Sequence, residues 1–111
     1  MVYDDFDSVP HAFGLVATAR LYREAPGDRR YDAFATAQRD WVFGANAWGT
    51  SFMVGEGTNF ERCPQHVVAN LSGHGSRYVD DVRSWQTSEP ADDFTALGLY
   101  ALTLTARGAD R

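Results

Sequence analysis

The sequence contains no lysine, only one cysteine and no long apolar run. Each of these features excludes some classes of protein. All ten basic residues are arginines, scattered along 111 residues with a net charge of -5. Nucleic-acid-binding domains usually carry a basic patch, so this charge pattern argues against nucleic acid as a partner. A transmembrane helix needs about 20 consecutive apolar residues, and their absence argues against a membrane span.

Two more absences concern disulfides and targeting. The one cysteine, Cys63, cannot form an internal disulfide or a thiolate zinc cluster. No base lies at a suggestive spacing, so we expect a small buried or half-buried thiol rather than a nucleophile. The first residues, Met1 to Asp7, are acidic and polar, unlike a secretory signal peptide.

The residues that are present predict a small all-α domain with three main helices. Apolar residues recur at helical spacing over about 9–25, 29–43 and 90–107. Ser8 and Pro10 suit the start of the first helix, because serine caps and proline fits the first turn. A Pro-Gly turn ends that helix, and Asp28 is expected to cap the next one. The short link predicts an antiparallel hairpin.

A long loop region, residues 44–88, separates the second and third helices. It holds six of the ten glycines and shows no helical period. The run 51–54 predicts a short strand within it. A loop of this length is usually functional or a sign of a missed element. The aromatic faces of the first two helices do not close a bundle, so we expect part of a larger all-α domain with its loops on one side.

The segment 78–96 carries residues that are suited to sugar chemistry. It reads YVDDVRSWQTSEPADDFTA and places Asp80 and Glu89 on either side of Trp85, ahead of an apolar helix. One carboxyl group can hold the substrate and another can deliver a proton, while a tryptophan ring stacks on a sugar face. Glu89 has a plainer alternative, a carboxylate that stabilises a helix start.

A second segment makes the pattern specific. Residues 43–57 read FGANAWGTSFMVGEG, and Pro64-Gln65-His66 follows. The two segments together resemble the glycoside hydrolase family 9 cellulases, in which a Gly-Asn turn leads to a Ser/Thr-aromatic-apolar run, a G-x-G and a Pro-His motif. The pattern positions matched in the later segment are Tyr78, Asp80, Trp85, Glu89, Ala91 and Ala96. The resemblance covers most of the chain.

The resemblance implies a fold and a reaction. The family's catalytic domain is an (α/α)6 barrel, and residues 1–111 would be its C-terminal portion, a partial catalytic domain with a long active-site loop region. The implied reaction is inverting hydrolysis of β-1,4-glucosidic bonds in cellulose or related β-glucans. Such an enzyme pairs a protonated carboxyl group with a water-activating carboxylate about 6.5–9.5 Å away. The resemblance assigns the general acid to Glu89.

The resemblance also assigns residues around the acid. Asp80 would support the site, with a local turn residue as the alternative. His66 would contact the substrate, although Gln65 and Val67 stand where the family has His and Arg. The predicted substrate-binding residues are Trp85, Tyr78 and Trp48. For Trp85, packing in the hydrophobic core is the alternative role.

The catalytic base that the resemblance requires is absent from the sequence. The family takes it from an Asp-Ala-Gly-Asp motif, and no segment here matches. We therefore predict that this chain supplies the general-acid half and needs the N-terminal part of the catalytic domain as a partner. A non-catalytic glucan-binding or degenerate fragment is the first alternative, and a three-helix interaction domain is the second.

The sequence says less about cofactors and localisation than about the reaction. Members of the family often bind calcium, but no complete acidic cage is visible in this sequence, so we expect no cofactor and no metal site. Family members are typically secreted, whereas residues 1–7 contain no signal peptide, and the sequence leaves the localisation open.

Overall fold

A computed structural model describes residues 8–62 and 92–109, and three helices dominate this part of the chain. They are α1 (Ser8–Glu24), α2 (Asp32–Val42) and α3 (Asp92–Ala109). The described residues contain no β-strand, only one parallel bridge between Ser51 and Phe60. The predicted all-α class with three main helices is therefore confirmed for this part. None of these helices is long and apolar enough to cross a membrane.

The predicted strand at 51–54 is wrong. Ser51 donates its N–H to Asn59 O at 2.8 Å, and Ser51 O accepts the N–H of Glu61 at 3.0 Å. The pairing stops after this one bridge because the chain turns away, with Gly55 at a φ of +85°. A residue in the left-handed backbone conformation, which glycine adopts readily, interrupts an extended strand.

A short turn joins α1 and α2 as an antiparallel hairpin, as the sequence predicts. The turn follows Glu24 and includes Gly27 at a φ of +74°. Arg20, near the end of α1, donates from Nη1 to Asp32 Oδ1 at 3.0 Å and from Nη2 to Thr36 Oγ1 at 3.3 Å. The end of α1 therefore lies beside the start of α2.

Asp28 does not cap α2, contrary to the prediction. Its carboxylate accepts the backbone N–H of Arg30 at 2.9 Å and pairs with the guanidinium of the same residue. Helix α2 begins at Asp32, later than the predicted start near residue 29, and Tyr31 occupies the N-cap without a side-chain hydrogen bond. An aspartate that bonds to the N–H two residues on forms a turn of its own, and that turn replaces the cap.

Helix α3 packs against α1, and its backbone does not come close to that of α2. Phe13 of α1 lies against Gly98 of α3. Further along both helices, Arg23 donates to Gly108 O at 3.0 Å. Arg23 follows Phe13 by as many positions as Gly108 follows Gly98. Equal steps along both helices mean that α1 and α3 run parallel. Helix α1 is therefore the central helix of a single layer, and the described helices do not close into a bundle.

The hydrophobic core lies where α1 meets its two neighbours and the loop after α2. Its buried members are Ala12, Phe13, Val16, Ala17, Trp41, Val42, Phe52, Ala101 and Leu104. Leu21 and Phe34, which belong to the apolar stripes read from the sequence, are instead 43% and 44% exposed. The apolar stripes of α1 and α2 are therefore wider than the surfaces that the other described residues cover.

Candidate substrate-binding loop

The loop that follows α2 packs back onto the end of that helix. Phe52 donates its N–H to Val42 O at 2.9 Å. Gly44 makes the reversal possible, because its φ of +110° lies in the left-handed region that glycine adopts readily. Because α2 is antiparallel to α1, and α3 is parallel to it, the end of α2 lies on the same side of the layer as the starts of α1 and α3. We call this side the loop end.

The side chain of Asn46 holds the first turn of the loop. Its Nδ2 donates to Trp41 O and Thr50 O, both at 2.8 Å. Its Oδ1 accepts the N–H of Trp48 at 3.0 Å and the N–H of Thr50 at 3.3 Å. A carboxamide has two N–H donors and two acceptor lone pairs, so these four bonds use its whole capacity. The turn 46–50 is thereby tied to the end of α2.

Trp48 belongs to an aromatic cluster at the loop end. Its ring lies 6.5 Å from that of Trp41 and 6.1 Å from that of Phe52, both in edge-to-face arrangements. The Trp41 and Phe52 rings are 5.1 Å apart. Each such aromatic pair adds about 0.5–1.5 kcal/mol beyond its buried area. Trp41 and Phe52 are buried, whereas Trp48 is only partly buried and packs against the core.

A second asparagine ties the far side of the loop to the same turn. Asn59 Nδ2 donates to Gly49 O and to Thr50 Oγ1, both at 3.0 Å. The Thr50 hydroxyl in turn donates to Trp48 O at 3.2 Å. Both backbone groups of Trp48 are therefore held by side chains of the loop, which restricts where the ring can lie.

Most of the predicted site residues fall outside the described part of the chain. These are Glu89, Asp80, His66, Trp85 and Tyr78. Their roles stay predictions. Trp48 is the predicted substrate-binding residue that the structure places, and it lies in the aromatic cluster at the loop end.

Sequence reasoning missed Asn46 and Asn59. Asparagine among glycines is a general signal for a turn, because its side chain bonds to nearby backbone. That signal was present in the sequence at Asn46. It does not reveal which four backbone groups the amide meets, since one of them is contributed by the end of a helix.

Charged groups concentrate on the opposite side of the layer from the loop end. Arg20, Arg23 and Arg107 line a cleft of about 190 Å³ there, together with Glu24. Helices α1 and α3 both end at this cleft, and helix C-termini favour cations. In the described ranges, no three His, Cys, Asp or Glu side chains lie close enough to hold a metal ion.

The hairpin turn on that side holds a local ion pair between Asp28 and Arg30. The backbone N–H of Arg30 lowers the pKa of the Asp28 carboxyl, helped by the guanidinium of the same arginine. Asp28 in return raises the pKa of Arg30 by accepting its hydrogen bond. This pair stabilises the turn between α1 and α2 and is remote from the aromatic cluster.

Comparison with protein-family models matches residues 1–102 to glycosyl hydrolase family 9. The matched range contains the aromatic cluster and both segments, 43–57 and 78–96, on which the sequence resemblance depends. Searches of curated proteins and of solved structures found no significant match. The family match spans most of the chain and confirms the resemblance. The protein therefore belongs to glycosyl hydrolase family 9, whose members hydrolyse glycosidic bonds.

Proposed function

We propose that this chain acts in the inverting hydrolysis of β-1,4-glucosidic bonds in cellulose or a related β-glucan. The observation that carries the proposal is the family match over residues 1–102, which includes Glu89 and Trp48 in one continuous range. Inverting hydrolysis needs a protonated carboxyl group for the leaving oxygen and a carboxylate for the attacking water. Glu89 supplies the first group. The second comes from the N-terminal part of the catalytic domain.

The order of the helices supports a shared site for Trp48 and Glu89. Trp48 lies at the loop end, where α3 also begins. Glu89 precedes Asp92, the first residue of α3, by three positions. Covalent geometry limits three residues to a span of about 11 Å. An aromatic ring and a proton donor on the same side of a helix layer are what a glycosidase cleft requires.

The remaining residues have supporting roles in this proposal. Asp80 orients the acid or binds a sugar hydroxyl, and His66 contacts the substrate. Trp85, Tyr78 and Trp48 provide aromatic surfaces for pyranose rings. A general acid must hold its proton, whereas a helix start favours the ionised carboxylate. Burial or neighbouring carboxylates must therefore outweigh the helix dipole at Glu89. The reaction uses two carboxyl groups and water and needs no cofactor.

Release of reducing ends from carboxymethyl cellulose tests the proposed reaction. The chain alone is expected to be inactive, and the chain mixed with a segment that carries the base is expected to be active. Glu89→Gln should lower that activity by about 10²–10⁴-fold, the usual contribution of a general acid. Glu24→Gln, which removes an exposed carboxylate on the opposite side of the helix layer, is the control and should retain activity.

Two results would contradict this assignment. Turnover by the chain alone that Glu89→Gln abolishes would show that a water-activating carboxylate lies within these 111 residues. Equal activity of Glu89→Gln and the control would remove Glu89 from the acid role. Proton NMR of the first product from a soluble β-glucan oligosaccharide adds the stereochemistry, since inversion yields the α-anomer.

A second candidate function is glucan binding without cleavage. The observation in its favour is the partly buried Trp48 ring, whose backbone N–H bonds to Asn46, in a chain that lacks the Asp-Ala-Gly-Asp motif. Affinity electrophoresis in hydroxyethyl cellulose tests it. Trp48→Ala and Trp85→Ala should each lose retardation. Tyr22→Ala, which removes a partly exposed ring from the C-terminal part of α1, should not. Retardation that survives both tryptophan substitutions would favour the third reading, an interaction domain.

A further inference from the structure

We propose that Asn46 is the positioning residue that sets the Trp48 ring for a sugar. The inference rests on the proposed role of Trp48 in substrate binding and adds to it a residue that no sugar would need to touch. The Asn46 side chain accepts the N–H of Trp48 at 3.0 Å and bonds to groups on both sides of it. It acts on the substrate only through the tryptophan.

The hydrogen bonds of Asn46 show why one side chain is sufficient. The Nδ2 bond to Trp41 O fixes the amide to the last turn of α2. Both bonds to Thr50, to its carbonyl at 2.8 Å and from its N–H at 3.3 Å, close the turn from the other side. The backbone of Trp48 is thus held between a helix end and a closed turn, and the amide has no free donor or acceptor.

The packing of the ring explains why this fixed backbone matters. The partly buried Trp48 ring touches the cluster edge to face, against Trp41 and Phe52. Such contacts depend on the relative orientation of the rings, so a change in the orientation of Trp48 weakens them. Gly49, the next residue, has a φ of +60°, a left-handed conformation that glycine adopts readily. Without the amide, the ring would sample orientations that do not stack on a pyranose face.

Asn59 offers a matched control because it is an asparagine in the same loop. Its Nδ2 bonds to Gly49 O and Thr50 Oγ1, and it makes no bond to the N–H of Trp48. It is also exposed, whereas Asn46 is partly buried. Asn59→Ala therefore removes two bonds from the loop and leaves the Asn46 bonds to Trp48 and to the helix end in place.

The test compares Asn46→Ala, Asn59→Ala and Trp48→Ala with the wild-type chain. Near-ultraviolet circular dichroism reports the environment of the tryptophans, far-ultraviolet dichroism reports the helices, and retardation in hydroxyethyl cellulose reports binding. We expect Asn46→Ala to keep the helical signal, to change the tryptophan spectrum and to weaken binding about tenfold, which corresponds to about 1.4 kcal/mol. Asn59→Ala should stay within about twofold of wild type, since the helix-end anchor remains.

The proposal is overturned if Asn46→Ala retains both the wild-type tryptophan spectrum and wild-type binding, or if Asn59→Ala has the same effect as Asn46→Ala. Should Asn46→Ala lose its helical signal, Asn46→Ser replaces it, because a serine hydroxyl keeps an acceptor for the N–H two residues on. A serine variant with an altered tryptophan spectrum but full binding would also overturn it. If wild type itself shows no retardation, the proposed substrate-binding role of Trp48 fails, while the spectra still decide whether Asn46 fixes the ring.

Discussion

At the residue scale, the Asp32 carboxylate links the start of α2 to arginines near the end of α1. Its carboxylate contacts three arginines, Arg20 at 3.0 Å, Arg23 at 3.6 Å and Arg29 at 3.2 Å. Arg20 is only 8% exposed, and its Nε is buried without a hydrogen-bond partner within the described residues. The aspartate therefore compensates a guanidinium that has little access to water.

We expect Asp32→Asn to lower the free energy of unfolding by about 2–3 kcal/mol, because a hydrogen bond to a charged group contributes about 1.5–3 kcal/mol and a buried cation would lose its partner. Urea denaturation followed by far-ultraviolet dichroism measures this change. Asp40→Asn is the control, since Asp40 is 44% exposed and pairs with the adjacent Arg39. It should change stability by less than about 0.5 kcal/mol. Equal losses in the two variants would contradict the role given to Asp32.

A second residue-scale prediction concerns pH and the Asp28 carboxyl. The N–H of Arg30 lowers the pKa of Asp28 in the folded chain. A lowered folded pKa stabilises the fold above the unfolded value of about 4, and this contribution disappears as the pH falls through the folded value. Asp28→Asn should therefore have a lower urea midpoint than wild type at neutral pH, with a difference that vanishes in strong acid.

The control for the pH prediction is Glu56→Gln. Glu56 is an exposed carboxylate in the loop after α2. It should show no such pH-dependent difference from wild type. A constant difference between Asp28→Asn and wild type at every pH would mean that the carboxylate charge has no part in stabilising the turn.

At the scale of elements, alanine substitutions at two helix glycines distinguish the effect of helix propensity from the effect of close packing. Gly98 in α3 lies against the buried ring of Phe13, and an added Cβ would be 3.1 Å from Phe13 Cε2. Gly14 in α1 faces Leu97 Cδ2 at 3.8 Å, an ordinary contact distance. At either position, alanine stabilises the helix by about 1 kcal/mol relative to glycine. Only at Gly98 does it force a well-packed ring to move, which costs about 1–3 kcal/mol.

We therefore predict opposite signs for the two substitutions. Gly14→Ala should raise the free energy of unfolding by about 0.5–1 kcal/mol. Gly98→Ala should lower it by about 1 kcal/mol, because overpacking exceeds the gain in propensity. Thermal unfolding of both variants beside wild type measures the difference. Stabilisation by both would mean that α1 and α3 separate easily, and that their contact contributes little to the fold.

The helices could be read from the sequence, and the loop could not. Apolar spacing identifies α1, α2 and α3 because each helix buries one stripe, and the Pro-Gly turn after Glu24 ends the first of them. The expected cap at Asp28 fails because a local turn competes for the same carboxylate. The expected strand at 51–54 fails because the loop there is shaped by glycine backbone and aromatic packing, which no short apolar run encodes.

The candidate site was predictable to a similar, partial extent. The family resemblance rests on residue types at fixed spacing, and the family match confirms it. Trp48 was singled out by its type, but its partners Trp41 and Phe52 meet it only through the packing of α2 and the loop. Asn46 is a turn residue by sequence. Its bond to Trp41 O depends on where the helix ends.

At the scale of the whole molecule, the helix layer and the loop share one hydrophobic core. Phe52 lies in the loop, yet it is only 7% exposed and belongs to the same cluster as residues of α1 and α3. Its N–H also bonds to the last residue of α2. The loop that carries Trp48 is therefore part of the folded unit, and its geometry is maintained by the same packing that holds the helices together.

This shared core predicts that a loop substitution unfolds the helices. Phe52→Ala should lower the free energy of unfolding by about 3 kcal/mol, in the range typical of a buried phenylalanine, and the loss should be visible in the far-ultraviolet helical signal. Val54→Ala, two residues further along the loop at 59% exposure, should change stability by less than about 0.5 kcal/mol. If Phe52→Ala altered only the tryptophan spectrum and left the helical transition unchanged, the loop would be a separate unit, and the anchoring of Trp48 would have to come from the hydrogen bonds of Asn46 alone.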